Sequence, residues 1–241
     1  MIQLWRCLIC DREVRRHELL AHKEIHRSMA HYGFMWPICD KESQDNYPWT
    51  IPIFYSDYLA DYLGVKRVYI RDEGRNPSGS MKDYTVRRAI ELGLRENFDI
   101  FTVVSSGNHA ASLAYYASRC FAKTIVFTPA SSSKVAFLSN LPYTKVICVK
   151  DAIFEEVYML ANKAQCECMY NANVCNEELL VVFRMVAEDI ARLDPLPTHI
   201  LSGVGNGSYL AGIAHGFERI GMTLPKIIPI GMRGAFPTEE V

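Results

Sequence analysis

No apolar run in the 241 residues approaches the roughly 20 consecutive positions that a membrane-spanning helix requires, so no membrane association is expected. Neither sign of charge dominates, with 26 Lys and Arg against 27 Asp and Glu. So balanced a chain exerts no whole-molecule pull on nucleic acid or anionic lipid. The opening MIQLWRCLICDREVRR has no basic stretch followed by a long apolar run, so it does not read as a secretory signal, and a cytoplasmic location is expected. Eight cysteines spread over this length are too sparse for a secreted disulfide scaffold and read as reduced thiols or metal ligands. Internal repeats and low-complexity segments are absent. With 49% hydrophobic and 22% charged residues, the chain can build a sizeable core as one large domain or two small ones.

Beyond a polar, proline-bearing connection at 46–49, the pattern alternates between two periods. RVYIRDE (67–73), FDIFTVV (98–104), KTIVFT (123–128), TKVICVK (144–150), HILSGV (199–204) and KIIPIG (226–231) read as strands, with 98–104 showing the nearly continuous apolar character of a buried parallel strand. Helical spacing separates them. Val86, Ala89, Ile90 and Leu94 fall on one face, as do Ala110, Leu113, Ala114 and Ala117. Further helices are expected over 153–167, 178–193 and 208–220. Strand alternating with helix predicts an α/β fold with right-handed crossovers and mostly parallel sheets. In such folds the chemistry gathers where strand carboxyl ends turn into helices.

Three of those turns stand out. The first runs from Glu73 to Asp83, with two glycines and a proline ahead of Lys82, a lysine that opens a helix. A lysine set against the positive end of a helix dipole, if also desolvated, is favoured as the neutral amine that nucleophilic chemistry needs. The second is Ser105-Ser106-Gly107-Asn108-His109, where small residues let backbone amides approach an anion at a helix N-terminus. The third is Gly203-Val204-Gly205-Asn206-Gly207-Ser208, a candidate phosphate cradle. It has neither the third glycine of a dinucleotide fingerprint nor the G-K-[ST] ending of a nucleotide P-loop. Taken singly, the first turn is better explained by a surface lysine at a helix start and the second by capping and turn chemistry, while the third is a strong candidate by itself.

In this order, NPSGSMKD, SSGNHAASLAYYA and GVGNGSYLAGIAHGF resemble the motifs of the pyridoxal-phosphate enzymes of the tryptophan-synthase-β type, and within that group they are most similar to the threonine synthases. The resemblance runs from about Tyr47 onward. It implies pyridoxal phosphate as cofactor, with Lys82 as the lysine that carries it and then moves protons on substrate carbons. Asn108 matches the residue that hydrogen-bonds the cofactor's ring oxygen. Gly203, Val204, Gly205, Asn206 and Gly207 match the loop that holds its phosphate. Ser105, Ser106, Gly107 and His109 match the loop that receives the substrate carboxylate. The implied activity is a carbon–oxygen lyase acting on an amino acid. In the threonine synthase reaction, phosphate leaves O-phosphohomoserine and water adds to give threonine. A dehydratase-like lyase acting on serine or threonine, and a cofactor-binding but catalytically impaired relative, remain open. A homodimer is also implied.

The chain departs from the family pattern in places. Asp83-Tyr84-Thr85 stands where D-R-G is common, removing a basic group near the site. Glu177 and Glu178 lie in the NANVCNEELLVVFR run, where acidic charge would repel a substrate phosphate and where Arg184 could compensate. LPYTK (141–145) replaces a glycine-bearing turn. The family usually extends by a further hundred residues or so, a length typical of an added domain portion. The expected architecture is therefore two open, mostly parallel-sheet domains with the larger incomplete: a cofactor domain of 47–89 with 179–241, and a smaller mobile domain of 90–178. A Cys/His segment at 1–46 precedes them.

In that segment Cys7-x₂-Cys10-x₁₁-His22-x₃-His26 approximates a zinc-finger spacing. Two readings stand: a structural zinc held by Cys7, Cys10, His22 and His26, or two thiols beside exposed histidines on an amphipathic helix. A slight excess of Lys and Arg there is too small to mark a nucleic-acid footprint.

Overall fold

The structure is a computed structural model, which describes the backbone strands at 4–7, 13–15 and 35–38 and then residues 51–173, 179 and 181–231. Strands β1 (Leu4–Cys7), β2 (Glu13–Arg15) and β3 (Met35–Ile38) form an antiparallel sheet in the order β2-β1-β3. The sequence pattern did not announce this sheet, because three- and four-residue strands are too short to establish a period. Of the residues with zinc-like spacing, Cys7 closes β1, while Cys10, His22 and His26 lie outside the described residues.

Next come β4 (Ile53–Tyr55), α1 (Asp57–Leu63) and β5 (Tyr69–Arg71). Helix α1 opens at Ser56, whose hydroxyl accepts the Leu59 amide, and closes at Gly64, which adopts the left-handed conformation (φ 64°) of a helix C-terminus. The alternating part of the chain then follows as expected: α2 (Lys82–Arg95), β6 (Ile100–Val104), α3 (Asn108–Arg119), β7 (Lys123–Pro129), α4 (Val135–Ser139), β8 (Thr144–Val149), α5 (Phe154–Ala164) and β9 (Tyr170–Asn171). These strands make one parallel sheet, ordered β8-β7-β6-β9, with Thr102 opposite Ile125 and Ile125 opposite Lys145. The remaining elements are α6 (Arg184–Ala191), β10 (His199–Gly203), α7 (Ser208–Arg219) and β11 (Lys226–Ile230), with β10 and β11 paired in parallel. From β6 onward the chain is thus α/β with parallel sheets. Among the described residues, no helix is long and apolar enough to cross a membrane.

The helical faces read from spacing are the buried ones: Val86, Ala89, Ile90 and Leu94 on α2, and Ala110, Leu113, Ala114 and Ala117 on α3. The two faces of β6 are used differently. Phe101 lies against α2, where a Cβ added to Gly93 would stand 2.4 Å from its ring, so only glycine allows that approach. Val104 joins Phe127, Val157 and Ala161, which docks α5 on the other face. Similarly, a Cβ on Gly216 would lie 2.7 Å from Ala187 and 2.8 Å from the backbone of Arg184, so glycine lets α6 and α7 cross closely.

The chain forms two compact units, residues 1–53 with 71–173 and residues 54–70 with 174–241. This division differs from the expected one at α2, which groups with α3 rather than with the 179–241 segment. The reason is a buried clamp. Asp83 is fully buried and accepts hydrogen bonds from the Ser78 amide (2.8 Å) and the Ser78 hydroxyl, from Ser112 Oγ on α3 (2.6 Å) and from Tyr116 OH on α3 (3.2 Å). Burial, and then the Asp83 charge, push the Tyr116 phenol well above its ordinary pKa, so it remains a donor.

The cysteines bring one further difference. Cys166 and Cys168 are joined as a disulfide with Cα atoms 5.3 Å apart, within bridging distance, where the sequence reads as reduced thiols. Cys120 is a buried free thiol, its pKa raised by burial, and Cys148 is free and exposed.

Removing the clamp takes the Asp83 acceptor away from four donors: the Ser78 amide, the Ser78 hydroxyl, Ser112 Oγ and Tyr116 OH. Asp83→Ala is therefore expected to cost about 3 kcal/mol, and Ser112→Ala about 1 kcal/mol. Urea unfolding of the purified chain checks this. Equal, small losses from both substitutions would contradict the clamp.

Candidate active site

In the first unit, two of the three turns lie close to each other and to the Asp83 clamp. The 73–81 loop delivers the chain to Lys82, the first residue of α2. Glu73 accepts from the Asn76 carboxamide (2.7 Å) and pairs with Arg71, whose guanidinium also donates to Tyr84 OH at 2.9 Å. Ser80 Oγ accepts the Lys82 amide (3.3 Å), and Thr85 Oγ1 donates to the Lys82 carbonyl (3.2 Å). The backbone of Lys82 is thus held on both sides. Tyr84 occupies the motif position where the sequence implies a lost basic group, and Arg71 brings a guanidinium to its hydroxyl. Sequence reasoning missed Arg71 because it sits eleven residues before the motif lysine, on a strand with no motif of its own.

Ser105 to His109 follow the carboxyl end of β6 and open α3. Ser105 Oγ accepts the amides of Gly107 (3.2 Å) and Ala110 (3.4 Å), so this serine caps the helix. Ser106 presents its carbonyl to Ser132 Oγ (3.0 Å). Asn108 is exposed, with Oδ1 accepting from Lys134 Nζ at 2.6 Å. Both Ser132 and Lys134 come from the loop after β7, a segment that carries no family motif and was not singled out in the sequence.

His109 points inward and is 3% exposed. Its Nε2 lies 2.7 Å from the Ala172 carbonyl, an acceptor only, so Nε2 carries the hydrogen and Nδ1 is the lone-pair nitrogen. Nδ1 is buried and has no partner among the described residues. Burial drives the imidazole pKa down from 6.5 to about 4. The Ala172 bond opposes the shift and the nearby Lys82 charge adds to it. The ring is therefore neutral at pH 7, and within the turn it pins α3 to the segment after β9.

The third turn belongs to the second unit. Gly203 ends β10, the Val204 amide donates to the Ile230 carbonyl (2.9 Å), and α7 begins at Ser208. Asn206 Oδ1 accepts both the amide (3.2 Å) and the hydroxyl (2.8 Å) of Ser208, closing an Asx turn on the helix start. Gly207 has φ +80°, a conformation that favours glycine. A Cβ on Gly205 would meet nothing within 4 Å, so the loop has open space on that side. Among the described residues, no acceptor takes the amides of Gly205 or Gly207. Unblocked amides at the N-terminus of a twelve-residue helix are a donor set that fits a phosphate. Glu177 and Glu178 lie outside the described side chains, and Arg184 opens α6. Among the described residues, no group of three or more His, Cys, Asp or Glu side chains is placed to hold a metal ion.

The depressed His109 pKa carries a stability consequence. Unfolded, the ring takes its proton near pH 6.5, and folded only near 4. Its contribution, about 3 kcal/mol, is therefore fully present above pH 6.5 and disappears as pH falls toward 4. Urea unfolding across that window should show this slope, and His109→Gln should flatten it. An unchanged slope in the variant would contradict the assignment.

Residues 46–238 match the family model described as pyridoxal-phosphate dependent enzyme. Among curated proteins, the chain is 32% identical over 202 residues to a threonine synthase of Methanocaldococcus jannaschii, covering 78% of this chain and 49% of that protein. It is 29% identical over 199 residues to a threonine synthase of Methanosarcina acetivorans, covering 77% and 48%. The chain thus spans about half the length of these relatives. Among solved structures, a fungal L-serine ammonia-lyase from Rhizomucor miehei superposes with a TM-score of 0.67 at 18% identity, over 76% of this chain and 60% of that one. The family match takes in all three turns, and the chain belongs to the pyridoxal-phosphate-dependent enzymes of the tryptophan-synthase-β family.

Proposed function

We propose that the chain is a carbon–oxygen lyase acting on an amino acid, with the threonine synthase reaction as its activity: loss of phosphate from O-phosphohomoserine and addition of water to give threonine. The observation that carries this reading is the placement of Lys82. It opens α2 on a loop fixed by Asp83, in the same unit as the Ser105–His109 turn, and near enough for its charge to act on His109. The two threonine synthase relatives, each covered to about half its length, support the choice of reaction.

When bound, pyridoxal phosphate supplies an electron sink for carbanionic charge on the substrate. Lys82 holds the cofactor through its ε-amine and then moves protons at the substrate carbons. Gly203, Val204, Gly205, Asn206 and Gly207 form the loop that would hold the phosphate, a task suited by the open side of Gly205 and by the amides of Gly205 and Gly207, which have no acceptor among the described residues. Asn108 donates its amide hydrogens to the ring oxygen. Ser105, Ser106, Gly107 and His109 form the turn that receives the substrate carboxylate at the N-terminus of α3. There Ser105 acts through the cap and His109 through its inward pin, which leaves Ser106 and the backbone as the contacting groups. Arg71, paired with Glu73, holds the Tyr84 hydroxyl beside the lysine loop.

After incubation with pyridoxal phosphate and removal of the free cofactor, the purified chain should keep an absorbance band near the boundary of the visible and ultraviolet. Lys82→Ala should abolish the band. O-phosphohomoserine should then release inorganic phosphate and give threonine. Release of a keto acid from serine or threonine, without phosphate release, would favour a dehydratase. A band that survives in Lys82→Ala would overturn the assignment of the lysine.

A further inference from the structure

We propose that Lys134 is a positioning residue that sets the orientation of the Asn108 carboxamide, an inference that rests on the cofactor reading above. An ammonium has three donors and no acceptor, so the Asn108 atom 2.6 Å from Lys134 Nζ is the oxygen. The flip of the carboxamide, ordinarily ambiguous, is thereby fixed with its NH₂ group turned away from the lysine. That group donates to no acceptor among the described residues.

The contact is part of a strap. Ser132 Oγ donates to the Ser106 carbonyl at 3.0 Å and accepts the Lys134 amide at 3.4 Å. The loop after β7 is therefore tied to the turn after β6 at two points, through one backbone atom and one side chain. A Cβ built on Gly107 would lie 3.9 Å from Lys134 Nζ, so the ammonium lies over the turn itself. A cation on the carboxamide oxygen also polarises the amide and strengthens its N–H groups as donors. The cofactor's ring oxygen is an acceptor. Without Lys134, the carboxamide is free to turn its oxygen toward that acceptor, a repulsive arrangement. Lys134 acts on the cofactor only through Asn108.

The test compares Lys134→Met and Lys134→Arg with the unmodified chain, alone and in combination with Asn108→Ala. In the cofactor-free chain, the ¹⁵N side-chain amide resonance of Asn108 should shift in Lys134→Met and return toward its original position in Lys134→Arg. Pyridoxal phosphate affinity should fall about 10-fold in Lys134→Met, with a displaced absorbance maximum, and Lys134→Arg should restore much of both. In the Asn108→Ala background, Lys134→Met should have no further effect. An unshifted resonance, or affinity losses that simply multiply in the double variant, would overturn the proposal. A shifted resonance in a chain that binds no cofactor would end the cofactor reading, and with it the role given to Asn108, while leaving the contact between the two side chains established.

Discussion

A single buried carboxylate organises the first unit. Asp83 gathers two donors from Ser78 and one each from Ser112 and Tyr116, tying the loop before α2, α2 itself and α3 into one body. A helix advances about 100° per residue, so fixing Asp83 toward α3 also fixes the direction in which its neighbour Lys82 leaves the helix. The lysine's direction thus follows from its neighbour's burial. A buried carboxylate without these donors would be heavily penalised, so the loop at 76–81 and the contacting face of α3 constrain each other.

The same economy recurs at the other turns. Ser105 caps α3, Ser132 holds the Ser106 carbonyl, and Asn206 closes the start of α7. Each polar side chain there satisfies backbone groups that a helix end or strand end would otherwise leave exposed. The Ser106 side chain and the Asn108 and Asn206 carboxamides remain exposed on these turns. His109 shows the opposite disposition, with its ring withdrawn into the interior and held neutral. The turn therefore combines an inner structural half with an outer half available to ligands.

Much of this was legible in the sequence. Apolar periodicity gave the buried faces of α2 and α3, because each face repeats over three turns of helix. The strand β6 stood out as a nearly continuous apolar run, and β7, β8, β10 and β11 as shorter strand-like stretches between helical patterns. The motif turns were visible because glycine, asparagine and serine cluster at strand ends. The hidden features share a physical reason: their roles depend on partners distant in sequence. Lys134 reads as a lone lysine in a serine-rich loop until folding brings it to Asn108, 26 residues earlier. Asp83 reads as a helix-start acid until Ser112 and Tyr116 close around it. α1, α4 and β9 are too short to carry a period. The grouping of α2 with α3 was likewise out of reach, since spacing reports which face of a helix is buried and not what covers it.

The central claim is that the ε-amine of residue 82, directed by its buried neighbour, is the one that pyridoxal phosphate engages. Borohydride reduction of the cofactor-loaded chain, followed by peptide mass mapping, tests it most directly. The account predicts a phosphopyridoxyl group confined to the peptide containing Lys82. A label on Lys134 or another lysine, with Lys82 unmodified, would contradict it.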